Sequence, residues 1–282
     1  MPVDFEYKLD TGSKKFECPN CGKKTFVRYR DIKGNYLMTN DGRCDREIHC
    51  GYLSIPNIEK VIVEPKQVSK KPLMFIDYED AIKTSYKLEQ NTLIRYFIEK
   101  LGAQATVDLI SKYRIGMDQS NPSTINWTIW WQFDVQDRCR GGKLMKYNPD
   151  GHRDKSQSST WYHKLNQKYN AFEVTQCYFG EHLISEYPNK RIAIVESEKT
   201  ACIASVFLPD FIWLASGSVG GLGYDKSKVL KHRNVTLFPD LGAFDKWKVK
   251  AQEYGWNISR ILEDRATAEE REQGLDLADY LV

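Results

Sequence analysis

Two sets of residues in this chain have the types and spacing to do chemistry. The first is Cys18-x2-Cys21 followed, 22 residues later, by Cys44-x5-Cys50. Zinc takes four soft or borderline ligands in a tetrahedron, and a two-residue spacer in a tight turn (Pro19, Asn20, then Gly22) turns two thiolates onto one ion. The fourth ligand is Cys50 or the adjacent His49. The second set is acidic. Glu196 ends the apolar run RIAIVE, Asp240 ends NVTLFPD, Asp245 lies five residues further on, and Asp276 and Asp279 sit in the final GLDLADYLV. Carboxylates brought together repel unless a cation or a proton lies between them, and hard oxygen ligands select Mg²⁺ or Mn²⁺. Such a site can hold phosphates and support in-line phosphoryl transfer. Strand-end acids also cap helices, and Asp240 taken alone fits either role.

The elements that must position these groups differ along the chain. TFVRYRD and NYLMT read as strands around a Lys33-Gly34-Asn35 turn, giving a zinc ribbon over residues 1–56 that depends on its metal for folding. Its surface mixes Lys14, Lys15, Lys23, Lys24, Arg28, Arg30, Arg43 and Arg46 with Phe26, Tyr29 and Tyr36. Cations interleaved with rings suit single-stranded nucleic acid, or are an ordinary solvated surface with core aromatics. Residues 57–73, with Pro65 and Pro72 and no amphipathic period, read as a linker. Three helical patterns follow near 77–87, 90–101 and 104–112, the second bracketed by Asn91 and Gly102. INWTIWWQFDVQ and GGKLMKYNPDG then form a hairpin carrying Arg138, Arg140, Lys143 and Lys146, with Trp127, Trp130 and Trp131 assigned to the core.

From residue 191 to 282 short apolar runs (RIAIVE, FIWLAS, NVTLFPD) alternate with helical segments, the grammar of a parallel sheet with crossover helices. Ligands of such sheets lie at the carboxyl ends of the strands, where Glu196 and Asp240 fall. GSVGGLG lacks the Lys-Ser/Thr of a P-loop and the spacing of a dinucleotide fingerprint. The fold class is therefore α/β: a zinc ribbon, an α+β segment over 74–190, and a parallel sheet with crossover helices.

Composition narrows the classes. The chain has 282 residues, 41% hydrophobic and 28% charged, which excludes wholesale disorder. No apolar stretch reaches the length of a membrane span, and MPVDFEYKLD does not resemble a signal peptide, so a cytoplasmic protein without a membrane partner is expected. Seven cysteines then read as metal ligands before disulfides, with Cys139, Cys177 and Cys202 as lone thiols. Net charge is only +3, but basic residues dominate the front of the chain and acidic ones the last ninety, which suggests two jobs.

VESEKTA at 195–201 together with LFPDLGAFDKW at 237–247 resembles the two acidic motifs of the TOPRIM domain. A zinc ribbon ahead of such a core is the layout of bacterial and phage primases, and over nearly its full length the chain is similar to zinc-ribbon and TOPRIM proteins of Bacteroidetes mobile elements. The resemblance implies a DNA primase-like protein that binds single-stranded DNA and joins ribonucleotides with Mg²⁺, working beside a separate replicative helicase. It implies Glu196 as general acid or base, Asp240 as a metal ligand with Asp245 or Asp276 beside it, and Lys199 near phosphates. Arg138, Arg140, Lys143 and Lys146 would line a template path.

One departure stands out. The usual Asp-x-Asp is here Asp240-Leu241-Gly242, so the second acid is missing at its place. Three readings remain open at this level: a primase, a TOPRIM nuclease using the same acids, and a non-catalytic nucleic-acid-binding accessory in replication or mobilisation.

Overall fold

A computed structural model describes residues 7–37, 39–46, 50–56, 74–172 and 174–282. It divides into two compact units, residues 1–70 and 71–282. The expected linker at 57–73 and His49 lie outside the described residues.

The first unit is a five-stranded antiparallel sheet. Its long strand β3 (Lys24–Asp31) pairs with β1 (Tyr7–Leu9), β2 (Phe16–Glu17) and β4 (Gly42–Cys44), and β4 pairs with β5 (Leu53–Ser54). The expected turn is present: the Gly34 N–H donates to the Asp31 carbonyl, and Gly34 has φ +84°, where a side chain would be strained. The return strand is Gly42–Cys44; among the described residues of NYLMT, Tyr36 makes an isolated bridge to Arg30. Packing explains the shift. Gly42 lies against Phe26, and a Cβ there would sit 2.4 Å from the ring and 2.2 Å from the Val27 carbonyl. Only a glycine at the head of β4 lets that strand close over the fully buried Phe26.

In the second unit, Asn91 and Gly102 bracket α1 (Thr92–Leu101) as expected, and α2 (Ala103–Tyr113) follows at once. A second antiparallel sheet runs β6 (Gly116–Met117), β7 (Thr128–Phe133), β8 (Cys139–Met145), β9 (Thr160–Trp161). Every residue of β7 is buried, because the strand lies between two cores. Trp130 faces one; Ile129, Trp131 and Phe133 face the other. The polar Thr128 and Gln132 on the Trp130 face are therefore not solvent residues, although the alternation of the sequence suits a half-exposed strand.

The third sheet is parallel, in the order β11-β10-β12-β13, from β10 (Arg191–Val195), β11 (Phe211–Ala215), β12 (Val235–Leu237) and β13 (Asn257–Ile258). The crossovers carry α3 (Glu198–Phe207) between β10 and β11, and α4 (Phe244–Tyr254) between β12 and β13. Ile192–Val195 are completely buried, as the centre of a sheet covered on both faces requires. The charged stretch 263–272 lies in two short helices, Ile261–Arg265 and Ala268–Gln273. One hydrophobic core runs from Leu88 to Ala278, joining the antiparallel and parallel sheets of this unit. No helix among the described residues is long and apolar enough to cross a membrane.

Candidate metal centre and acidic crevice

The four ribbon cysteines come together. Their sulfurs all lie within 4.8 Å of one another, with Cys18 Sγ and Cys50 Sγ 3.6 Å apart. A tetrahedron with zinc–sulfur bonds of about 2.3 Å places its ligands about 3.8 Å apart, so the set is close to what a structural zinc ion needs. The Lys23 backbone N–H aims at Cys21 and holds its thiol low, at about 6, favouring the thiolate that a metal needs. Among the described residues no other group of three Cys, His, Asp or Glu ligands is this close.

The cations of the ribbon are less free than their number suggests. Arg28 lies over the Phe16 ring (4.5 Å), Arg30 over Tyr36 (4.4 Å), and Lys14 over both (5.3 Å each). Arg30 also pairs with Asp10 at 3.2 Å. Phe26, counted with the surface rings from sequence, is core.

In the second unit β10 and β12 are neighbours, so Glu196 and Asp240 leave the same end of the sheet side by side. Glu196 is half-buried. Burial raises its carboxyl, the Val219 backbone N–H and Lys143 pull it down, and the Glu198 and Asp276 charges push it up. Asp240 is pushed up to about 8, first by burial, then by Asp276, Glu196 and Asp279, with Lys199 opposing. Its Oδ1 is buried, and no donor reaches it.

The C-terminal segment supplies the remaining acids. Asp276 caps the turn Leu277–Tyr280, accepting from the Ala278 N–H (2.8 Å), and Asp279 accepts in return from the Asp276 N–H (2.9 Å). The Thr200 hydroxyl donates to Asp276 Oδ2 (2.7 Å), and the buried Lys199 ammonium lies 3.8 Å from Asp279 Oδ1. Both contacts come from the first turn of α3, directly after Glu196. Asp276 is thus brought to the crevice. Asp245 is exposed on α4, whereas the Asp276 charge is, after burial, the chief influence on Asp240.

The basic hairpin is largely occupied by its own acids. Asp134, buried in the turn, accepts from Arg138 (2.9 Å) and Arg140 (2.7 Å), and Phe75 covers both guanidiniums (4.6 and 5.1 Å). Lys146 pairs with Asp154 at 3.4 Å. Lys143 donates to both oxygens of the buried Glu198 (3.1 and 3.3 Å) and to the Gly217 carbonyl (3.1 Å). Glu198, Thr200 and Asp134 were missed from sequence. The one available signal was Glu198, a second glutamate in a segment otherwise fit for burial.

A family model described as "Domain of unknown function (DUF6371)" matches residues 91–241, and a zinc beta-ribbon finger model matches residues 5–62. No curated protein matches the sequence. Among solved structures the chain is similar to the RNA polymerase domain of Mycobacterium tuberculosis primase DnaG (9% identity, 69% of this chain, 79% of that chain, TM-score 0.45). It is also similar to the zinc-binding and RNA polymerase domains of the Aquifex aeolicus primase (10%, 97% and 82%, TM-score 0.40). A third is the primase fragment of the bacteriophage T7 primase-helicase protein (12%, 59% and 69%, TM-score 0.37).

Proposed function

For a chain that belongs to the DUF6371 family, we propose a primase-like role: binding single-stranded DNA and joining ribonucleotides at the acidic crevice. The observation that carries this reading is the unpartnered, buried Oδ1 of Asp240 among the charges of Glu196, Asp276 and Asp279. Three acids around an oxygen that no donor reaches suit a hard divalent cation. Glu196, Asp240 and Asp276 would hold Mg²⁺ or Mn²⁺, which supplies charge neutralisation for phosphates. Glu196, half-buried at the end of β10, is positioned to take or give the proton of a reacting hydroxyl. Thr200 and Lys199 fix Asp276 and Asp279 against α3 and so set the width of the crevice. The ribbon would contact the strand chiefly through phosphates, because its own cations already lie over Phe16 and Tyr36. TOPRIM membership and a mobile-element setting belong to the same reading.

One observation favours a non-catalytic accessory instead. Gly242 has φ +84°, a backbone conformation strained for aspartate, so the loop itself departs from Asp-x-Asp. Primer synthesis on mixed-sequence single-stranded DNA, with labelled ribonucleotides and Mg²⁺ or Mn²⁺, decides between the two. Short oligomers are expected from the wild type and from Asp245→Asn, with at least about a hundredfold less from Glu196→Gln and Asp276→Asn. DNA binding without any product from the wild type would transfer the assignment to the accessory, and strand cleavage would transfer it to a nuclease.

A further inference from the structure

Beside the acidic crevice, and wholly within the second unit, lies a cavity of about 390 Å³, inside the range of about 300–1,000 Å³ usual for small-molecule sites. Its floor is one face of the antiparallel sheet. Gln132 on β7 stands opposite Gly141 on β8, and Lys143 on β8 stands opposite Trp161 on β9. Directly paired residues share a face, and Trp130, opposite Lys143, puts Gln132 on that face as well. The Trp161 ring lies over Gly141, where a Cβ would come 3.6 Å from it, so the glycine makes room for the indole.

The opposite wall is the glycine-rich segment 216–226, and it is held rigidly. Five of its carbonyls accept side-chain donors: Ser216 from Lys226 (2.9 Å), Gly217 from Lys143 (3.1 Å), Ser218 from the Ser216 hydroxyl (2.9 Å), Val219 from Trp247 (3.1 Å) and Leu222 from Tyr254 (3.0 Å). Gly220 has open space where a side chain would be. A loop with five of its carbonyls bonded is preformed rather than collapsed onto the cavity.

Two polar side chains of this cavity keep hydrogen-bonding capacity that the protein does not use. Gln132 is 2% exposed, and its Oε1 has no donor, although a leucine at that position would fill the space without orphaning an oxygen. Gln132 lines the cavity, so its carboxamide is available to a ligand there. Lys226 donates one bond to Ser216 and lies 4.6 Å over the Tyr178 ring, leaving ammonium protons unspent, whereas Lys143 has used all three. The one carboxylate lining the cavity, Asp225, is engaged by Lys228 at 2.7 Å.

The geometry points to a nucleoside phosphate as the occupant: its base lies against Trp161, the Gln132 carboxamide reads an amino or imino edge, and its phosphates meet Lys226. An indole face stacks any base, a carboxamide oxygen discriminates among bases, and a cation at a preformed loop suits phosphate. The loop also ties the cavity to the crevice, since the Gly217 N–H donates to the Glu196 carbonyl (2.9 Å). The choice of ligand class rests on the nucleotidyl-transfer reading; the cavity and its orphaned amide do not.

Equilibrium binding of each of the four ribonucleoside triphosphates to the full chain, without divalent metal or template, tests this. Inorganic triphosphate and a short oligodeoxynucleotide serve as further probes. Saturable binding with unequal affinities among the four is expected, weakened tenfold or more in Lys226→Met and in Gly220→Leu, which fills the cavity from open space. Gln132→Leu is expected to level the four affinities while raising the unfolding midpoint, a combination that a purely structural glutamine would not give. Absence of nucleotide binding, equal binding of inorganic triphosphate, binding of the oligonucleotide alone, or unaltered affinity in all three variants would overturn the inference. Failure here leaves primer synthesis free to succeed, and failure of primer synthesis leaves this binding measurable.

Discussion

Glu181 is 5% exposed, and burial pushes its carboxyl up to about 7 from an ordinary value of 4.5. The native state therefore prefers the protonated form. That preference contributes fully below about pH 4.5 and is lost as pH rises through about 7, a change on the order of 3 kcal/mol. Glu181→Gln keeps a neutral acceptor for the Tyr178 N–H, now 3.1 Å away, at every pH. The urea midpoint of the wild type is expected to fall between pH 5 and 8 relative to that of the variant; parallel profiles would refute it. At this scale the sequence was partly legible. Motif spacing pointed to Cys18, Cys21, Cys44 and Cys50, and all four converge. Strand ends pointed to Glu196 and Asp240, which leave neighbouring strands together. Helical proximity offered Asp245 and the acidic C-terminal segment offered Asp276 as the acid beside Asp240, and spacing alone does not choose between them. Asp276 is 80 positions from Glu196 and meets it through a Thr200 hydroxyl that no spacing rule selects.

At the scale of elements, caps and turns read true because their causes are local. Asn91 accepts from the Ile94 N–H at 3.0 Å and begins α1 where the sequence places it. It does more than cap. It is fully buried, and its amide donates to the Asn126 carbonyl and to the Thr128 hydroxyl, both at 3.1 Å, tying α1 to β7. Asn91→Ala is expected to cost about 3 kcal/mol, the loss of a cap plus stranded buried partners. Denaturant unfolding measures it, and a cost below about 1 kcal/mol would mean that the cap alone counts. Elements set by distant contacts were not legible. β4 falls at Gly42–Cys44 because Phe26 must be covered, and β13, two residues long, exists only as an edge for β12. The four basic residues placed on the β7–β8 hairpin from sequence are engaged by Asp134, Glu198 and Asp154, acids that no local pattern pairs with them.

For the whole molecule, the division at residue 70 has a spectroscopic consequence. All seven tryptophans lie in the second unit, none in the ribbon. Chelation is expected to release one zinc per chain and expose 7–56 to trypsin, because so small a core depends on its metal. Tryptophan emission should stay unchanged. A shifted emission on zinc loss would show that the second unit depends on the ribbon. The α/β class and the alternation of strand and helix after residue 191 were legible because apolar runs of that length are decisive. The shared core that joins the antiparallel and parallel sheets was not, since it is made of contacts between segments each of which reads as complete. The closure of the C-terminal turn onto α3 also sets an order in time. At about 5–20 residues per second of synthesis, Glu196 is added to the chain roughly 4–16 s before Asp276. Through that interval Thr200 and Lys199 have no carboxylate to hold, while the four cysteines have long been made. A nascent chain thus acquires its metal-binding ribbon early and its crevice last, so the two centres mature as separate events rather than one.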